Sequence, residues 1–141
     1  MMEFKKILVP VDGSTHSQLA KRKAMGMATA MGAEIVLLYA MGKIPNLIGG
    51  LAREELLSEL MREGKSLLEP YRKVLEDKGV KYTEIIEAGE PGDAICAVAE
   101  REGCDLIVMG SRGLSDFEGM MLGSVTHRVL TLSKLPVLVA R

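Results

Sequence analysis

Residues 104–132 read CDLIVMGSRGLSDFEGMMLGSVTHRVLTL. The stretch opens on a near-continuous apolar run, as in a strand covered on both faces. It then passes Gly110, Gly113 and Gly123 at the spacing G-x2-G-x9-G, with Ser124 directly after the last glycine. It ends in SVTHRVLTL, which has helical spacing. The order is therefore strand, glycine-rich loop, helix N-terminus. Glycine lets a backbone approach a ligand closely and adopt positive φ. A helix N-terminus presents N–H groups and a partial positive charge, which suit phosphate. The lysine of a P-loop is absent. Taken alone, the spacing equally describes a loop that needs glycines for tight turns.

The rest of the chain supplies the context. Residues 4–11, FKKILVPV, form a first buried strand, and Asp12-Gly13-Ser14 a turn that can cap the next helix. That helix runs over 15–31 with Ala20, Ala24, Met27, Ala28 and Met31 on one face, and Gly32 ends it. Residues 34–40, EIVLLYA, are a second strand. After a Gly- and Pro-rich loop over 42–50, a long helix is expected over 51–78. Its stripe is Leu56, Leu60, Leu67, Leu68, Tyr71 and Leu75, and Pro70 should kink or split it. The more polar 80–87 make a third strand, nearer an edge. Pro91 opens a helix to about 102; 104–109 are the fourth strand, 123–133 the last helix and 136–140 the last strand.

Such alternation predicts an α/β fold: a doubly wound five-stranded parallel sheet with helices on both faces, expected as a single nucleotide-binding domain over residues 1–141. The order 3-2-1-4-5 puts a topological switch point between the first and fourth strands. Ligands bind there, at the carboxyl ends of the strands. Asp12 and the glycine motif then face one crevice.

Composition narrows the function. A formal net charge of −1 over 141 residues argues against a general grip on nucleic acid or an anionic membrane. No apolar run reaches the length of a membrane span. The start, MMEFKKILVPVD, leads straight into a strand pattern without a signal-peptide layout. Cys96 and Cys104 have neither CxxC nor zinc spacing and read as reduced and structural, so a cytoplasmic setting is expected. His16 and His127 make no metal site. The closing PVLVAR would be a bare sheet edge, expected to pair with a second copy as a homodimer through residues 136–140.

In the crevice, backbone N–H groups from both ends of the glycine loop would converge on phosphates, with hydroxyls from Ser124 and Thr126. Asp12 is a poor neighbour for phosphate but suits ribose hydroxyls; alternatively it caps the helix after it. Arg112 either reaches a phosphate through its guanidinium fork or is a solvated loop residue. His127 is expected to face solvent or a neighbour, and no residue is assigned a catalytic role. Ile44, Leu47 and Ile48 are read as a lid, a partner surface or local packing.

The segments ILVPVDGS (7–14), EIVLLYA (34–40), IVMGSRGL (107–114), LGSVTHRVL (122–130) and LPVLVAR (135–141) together resemble the universal stress protein family, over residues 4–141. G-x2-G-x9-G-[ST] is the motif of its ATP-binding branch. The resemblance implies a homodimer joined through the last strands and an ATP site. Pro10, Val11 and Asp12 would line the adenosine, with Asp12 on the ribose, and the backbone of Ala40 would meet the adenine. Met109, Gly110, Arg112 and Gly113 would line one side of the phosphates, and Gly123, Ser124, Val125 and Thr126 the other. Mg²⁺ or Mn²⁺ can accompany the triphosphate. The SGGxDS and HIGH signatures of related nucleotide enzymes do not occur. The expected function is an ATP-binding regulatory or stress-response protein with at most slow or partner-dependent hydrolysis. The alternatives are a slow metal-dependent ATP hydrolase and a dimeric scaffold that needs no nucleotide.

Overall fold

The computed structural model describes residues 4–114, 116–117 and 119–141. Residues 1–3, read above as leading into the first strand, lie outside them. The elements follow one another as β1 (Lys6–Pro10), α1 (Thr15–Met31), β2 (Glu34–Ala40), α2 (Gly50–Asp77), β3 (Tyr82–Glu87), α3 (Pro91–Arg101), β4 (Leu106–Gly110), α4 (Ser124–Leu132) and β5 (Val137–Ala140). The strands form one parallel sheet in the order β3-β2-β1-β4-β5. Leu8 of the central strand stands between Val36 of β2 and Ile107 of β4. The expected fold class and strand order are those found.

Period-two alternation divides the core between the two faces of the sheet. Ile7, Val9, Ile35, Leu37 and Val108 pack with Ala20, Ala24 and Ala28 of α1 and Leu68, Tyr71 and Leu75 of α2. Leu8, Val36, Leu38 and Ile107 pack on the other face with Ile95 and Val98 of α3 and Val129 of α4. Full burial of each large side chain contributes about 1.5–3 kcal/mol. The three alanines have another effect. Small residues at i, i+4 and i+8 let α1 lie close to the sheet, which decides the environment of Gly110 below.

Some local expectations change. The N-cap of α1 is Ser14, whose Oγ accepts from the Ser17 N–H at 3.1 Å; Asp12 is not the cap. Pro70 does not split α2, which runs unbroken for 28 residues. Only the C-terminal half of α2 carries fully buried residues, from Gly64 onward, while Leu56 and Leu60 stay half-exposed. Met31 is exposed rather than packed, because Gly32 turns the chain away in a left-handed conformation (φ 67°). Cys104 is buried, and burial pushes its thiol up to about 11. Cys96 and Cys104 are both free. Among the described residues no helix is long and apolar enough to cross a membrane.

Candidate functional site

A cleft of about 300 Å³ opens at the carboxyl ends of β1, β2 and β4, at the switch point. Its size is at the lower end of small-molecule sites. Of the residues singled out from sequence, Pro10, Val11, Asp12, Ala40, Met109, Gly110, Arg112, Gly113, Val125 and Thr126 line it. Gly123 and Ser124 are not part of this lining: Gly123 is buried as the N-cap of α4, and Ser124 is exposed. Ser17, Tyr39, Leu67, Pro91, Ile95, Leu114 and Asp116 complete the wall. The wall combines apolar residues, among them Tyr39, Ala40, Leu67, Ile95, Met109 and Val125, with the polar Asp12, Ser17, Arg112 and Asp116.

Asp12 is held by a network that starts in the core. The Tyr71 hydroxyl, on α2, lies 2.8 Å from Ser17 Oγ, and Ser17 Oγ donates to Asp12 Oδ1 at 3.1 Å. The Ser17 hydroxyl proton is shared between Asp12 Oδ1 and the Ser14 carbonyl, also at 3.1 Å, which leaves the Tyr71 hydroxyl to donate to Ser17 Oγ. Burial raises Tyr71 above the ordinary tyrosine range, so it stays protonated and remains a donor. The Gly13 N–H donates to the Tyr71 hydroxyl at 3.2 Å, and the Ser14 N–H donates to Asp12 Oδ1 at 2.9 Å. Across the cleft, the Leu114 N–H donates to Asp12 Oδ2 at 3.0 Å. A carboxylate has about four lone-pair sites. Three donors reach Asp12 through these bonds, two on Oδ1 and one on Oδ2. Asp12 lines the cleft, and a carboxylate oxygen with one donor can accept another.

The glycine motif is built for space rather than for left-handed backbone. None of Gly110, Gly113 and Gly123 has positive φ. A Cβ on Gly110 would stand 2.8 Å from the His16 carbonyl carbon and oxygen, so this glycine admits the first turn of α1. A Cβ on Gly113 would stand 2.5 Å from Asp12 Oδ2. A Cβ on Gly123 would overlap Asp116 Oδ2 and stand 3.2 Å from Arg112 Cα. Gly113 and Gly123 thus make room for the carboxylates of Asp12 and Asp116. Gly123 also offers no side-chain oxygen to the first turn of α4.

The loop is tied down at its ends. The Gly123 N–H donates to the Ser111 carbonyl at 2.7 Å, and the Ser111 N–H donates to the Ala140 carbonyl at 3.1 Å. Thr126 Oγ1 donates its proton to the Gly110 carbonyl at 2.8 Å, which anchors α4 to the end of β4. Its hydroxyl proton is therefore already committed. Arg112 Nη1 donates to the Phe117 carbonyl at 3.4 Å. His127 is exposed on α4, as expected, and does not line the cleft.

The family model of the universal stress protein family matches residues 3–141. The chain belongs to the universal stress protein family. Among its relatives, universal stress protein MJ0577 of Methanocaldococcus jannaschii is 35% identical, over 98% of this chain and 95% of its own length. The Bacillus subtilis universal stress protein YxiE is 37% identical, over 98% of this chain and 99% of its own. The solved structure of MJ0577 superposes with a TM-score of 0.85, covering 99% of this chain and 96% of that one. A universal stress protein solved in complex with cAMP superposes with a TM-score of 0.77 at 27% identity, covering 99% of each chain.

Of the wall residues not singled out for this universal stress protein's site, Leu67 stood in the α2 stripe and Pro91 opened α3. Their helical spacing marked them as apolar without showing that they reach the cleft. Tyr39 was legible only as part of the second strand, and Ser17 and Asp116 carried no periodic signal. Their place depends on which elements meet.

Proposed function

We propose that this cleft binds ATP and that the protein is a regulatory or stress-response nucleotide binder. One observation carries the reading. Asp12 and the glycine loop at Gly113 line one cleft at the switch point, linked by the Leu114–Asp12 hydrogen bond. A nucleotide has the matching parts in the matching order. Its base fits the apolar end between Ala40, Leu67, Ile95 and Val125. Ribose hydroxyls donate to Asp12. The phosphates meet the Gly113 N–H, the first-turn N–H groups of α4 and the guanidinium of Arg112, with Ser124 at the rim. The cAMP complex of a relative supports an adenine nucleotide as the ligand class.

Pro10, Val11 and Met109 supply apolar contact around the sugar and base in this reading. The backbone of Gly110 closes the floor, and Thr126 acts by holding that backbone. Among the described residues no group of three or more His, Cys, Asp or Glu converges as a metal site. A divalent ion such as Mg²⁺ or Mn²⁺ would arrive on the phosphates and be held mainly by their oxygens. The reading assigns the chain to nucleotide holding in the cytoplasm, as one domain, with no catalytic residue.

The ribose contact provides the test. ATP is expected to bind about tenfold more tightly than 2′,3′-dideoxy-ATP, since a hydrogen bond to a charged acceptor is worth about 1.5–3 kcal/mol. In Asp12→Ala the two ligands should bind alike. Calorimetric titration reads both; equal affinities for the wild-type chain would remove Asp12 from the ribose.

We also propose a homodimer through β5. This strand is the sheet edge beyond β4, and Val137, Leu138 and Val139 remain partly exposed there. Pairing with a second copy would cover that edge. Light scattering at micromolar concentration should give twice the chain mass, and a monomer would defeat the proposal.

A further inference from the structure

The polar end of the cleft already holds a carboxylate from the chain itself. The Gly113 N–H donates to Asp116 Oδ2 at 2.8 Å. The same oxygen lies in the space left by the missing side chain of Gly123, the N-cap of α4. The turn that carries it is closed by the Asp116 N–H donating to the Gly113 carbonyl at 3.3 Å. A negative group is favoured there for the reasons that favour phosphate: a backbone donor and the positive end of a helix. Asp116 and a phosphate group cannot occupy this place together, because like charges repel and the space is shared. Leu114 and Phe117 beside it are 69% and 67% exposed, so neither of these two side chains packs the loop into this arrangement.

We propose that Asp116 is an internal competitor for phosphate and sets how strongly the cleft selects ligands by phosphate content. Ligand phosphate enters as the Asp116 side chain rotates out, and the Gly113 N–H passes from carboxylate to phosphate oxygen. Adenosine, which lacks phosphate, leaves Asp116 where it is. The carboxylate thus weakens phosphate-bearing ligands and leaves nucleoside binding unchanged. It also keeps the empty cradle satisfied, with a donor and an acceptor already paired. The inference rests on the nucleotide reading for its natural ligand, while the competition itself concerns any phosphate.

The test compares the wild-type chain with Asp116→Asn and Asp116→Ala by calorimetric titration with ATP, adenosine and inorganic triphosphate. Both variants are expected to bind ATP and triphosphate about tenfold more tightly, the scale of one charge-assisted hydrogen bond. Adenosine affinity should stay within about twofold. Unchanged ATP affinity in both variants would overturn the proposal. Weaker ATP binding would also overturn it, by making Asp116 a ligand-holding group. Tighter triphosphate binding with no contribution from adenosine would uphold the competition while removing the nucleotide reading. No binding of any of the three by any chain would overturn both.

Discussion

Gly110→Val is expected to lower the unfolding free energy by about 3 kcal/mol, at the upper end of the usual cost of overpacking. The added Cβ would stand 2.7 Å from His16 Cβ and 2.8 Å from the His16 carbonyl carbon and oxygen. Those last two atoms are backbone, so no rotamer change removes the clash. Helix α1 cannot simply retreat. Ala20, Ala24 and Ala28 are packed against the sheet with at most 2% exposure. Displacing its first turn would also carry Ser17 away from Asp12 and Tyr71. Urea unfolding checks this; a loss below about 0.5 kcal/mol, the range of an ordinary surface change, would contradict it.

Gly123→Val should behave in the opposite way: a stable fold, with ATP affinity lowered by about a hundredfold. The first atom in the path of its side chain is Asp116 Oδ2, the end of a side chain that can rotate. The nearest backbone atom, Arg112 Cα at 3.2 Å, needs a shift of only a few tenths of an ångström. The valine methyl groups would instead fill the space assigned to phosphate. Losing two charge-assisted hydrogen bonds at about 1.5 kcal/mol each gives the hundredfold. Calorimetry read beside a urea midpoint separates the two effects. Wild-type ATP affinity in this variant would take the phosphates away from α4. Two glycines of one motif are thus predicted to differ in duty, one toward the core and one toward the proposed ligand.

The fold was legible because buried strands and amphipathic helices alternate without interruption, and right-handed β/α/β connections leave few arrangements. The glycine spacing was equally visible. The reason for each glycine was not. None of the three adopts positive φ, whereas Gly13, directly after Asp12, does, at φ 86°. What each motif glycine faces is a tertiary fact: His16, Asp12 or Asp116. The capping residue shows the same limit. Asp12 and Ser14 are both good caps and stand two residues apart, and only the Ser14–Ser17 bond decides between them. The support of Asp12 by Tyr71 passes through Ser17, 54 positions away from the tyrosine, and local pattern carries no trace of it. Pro70 is the converse case. Its local cost is real, but Leu68, Tyr71 and Leu75 keep the turns around it on the sheet.

The most direct measurement is a calorimetric titration of ATP into the purified chain, run beside Gly123→Val. One ATP is expected to bind per chain, saturably, with most of that affinity gone in the variant. The absence of binding at millimolar ATP, or equal binding by both chains, would contradict a nucleotide held with its phosphates over Gly113 and Gly123.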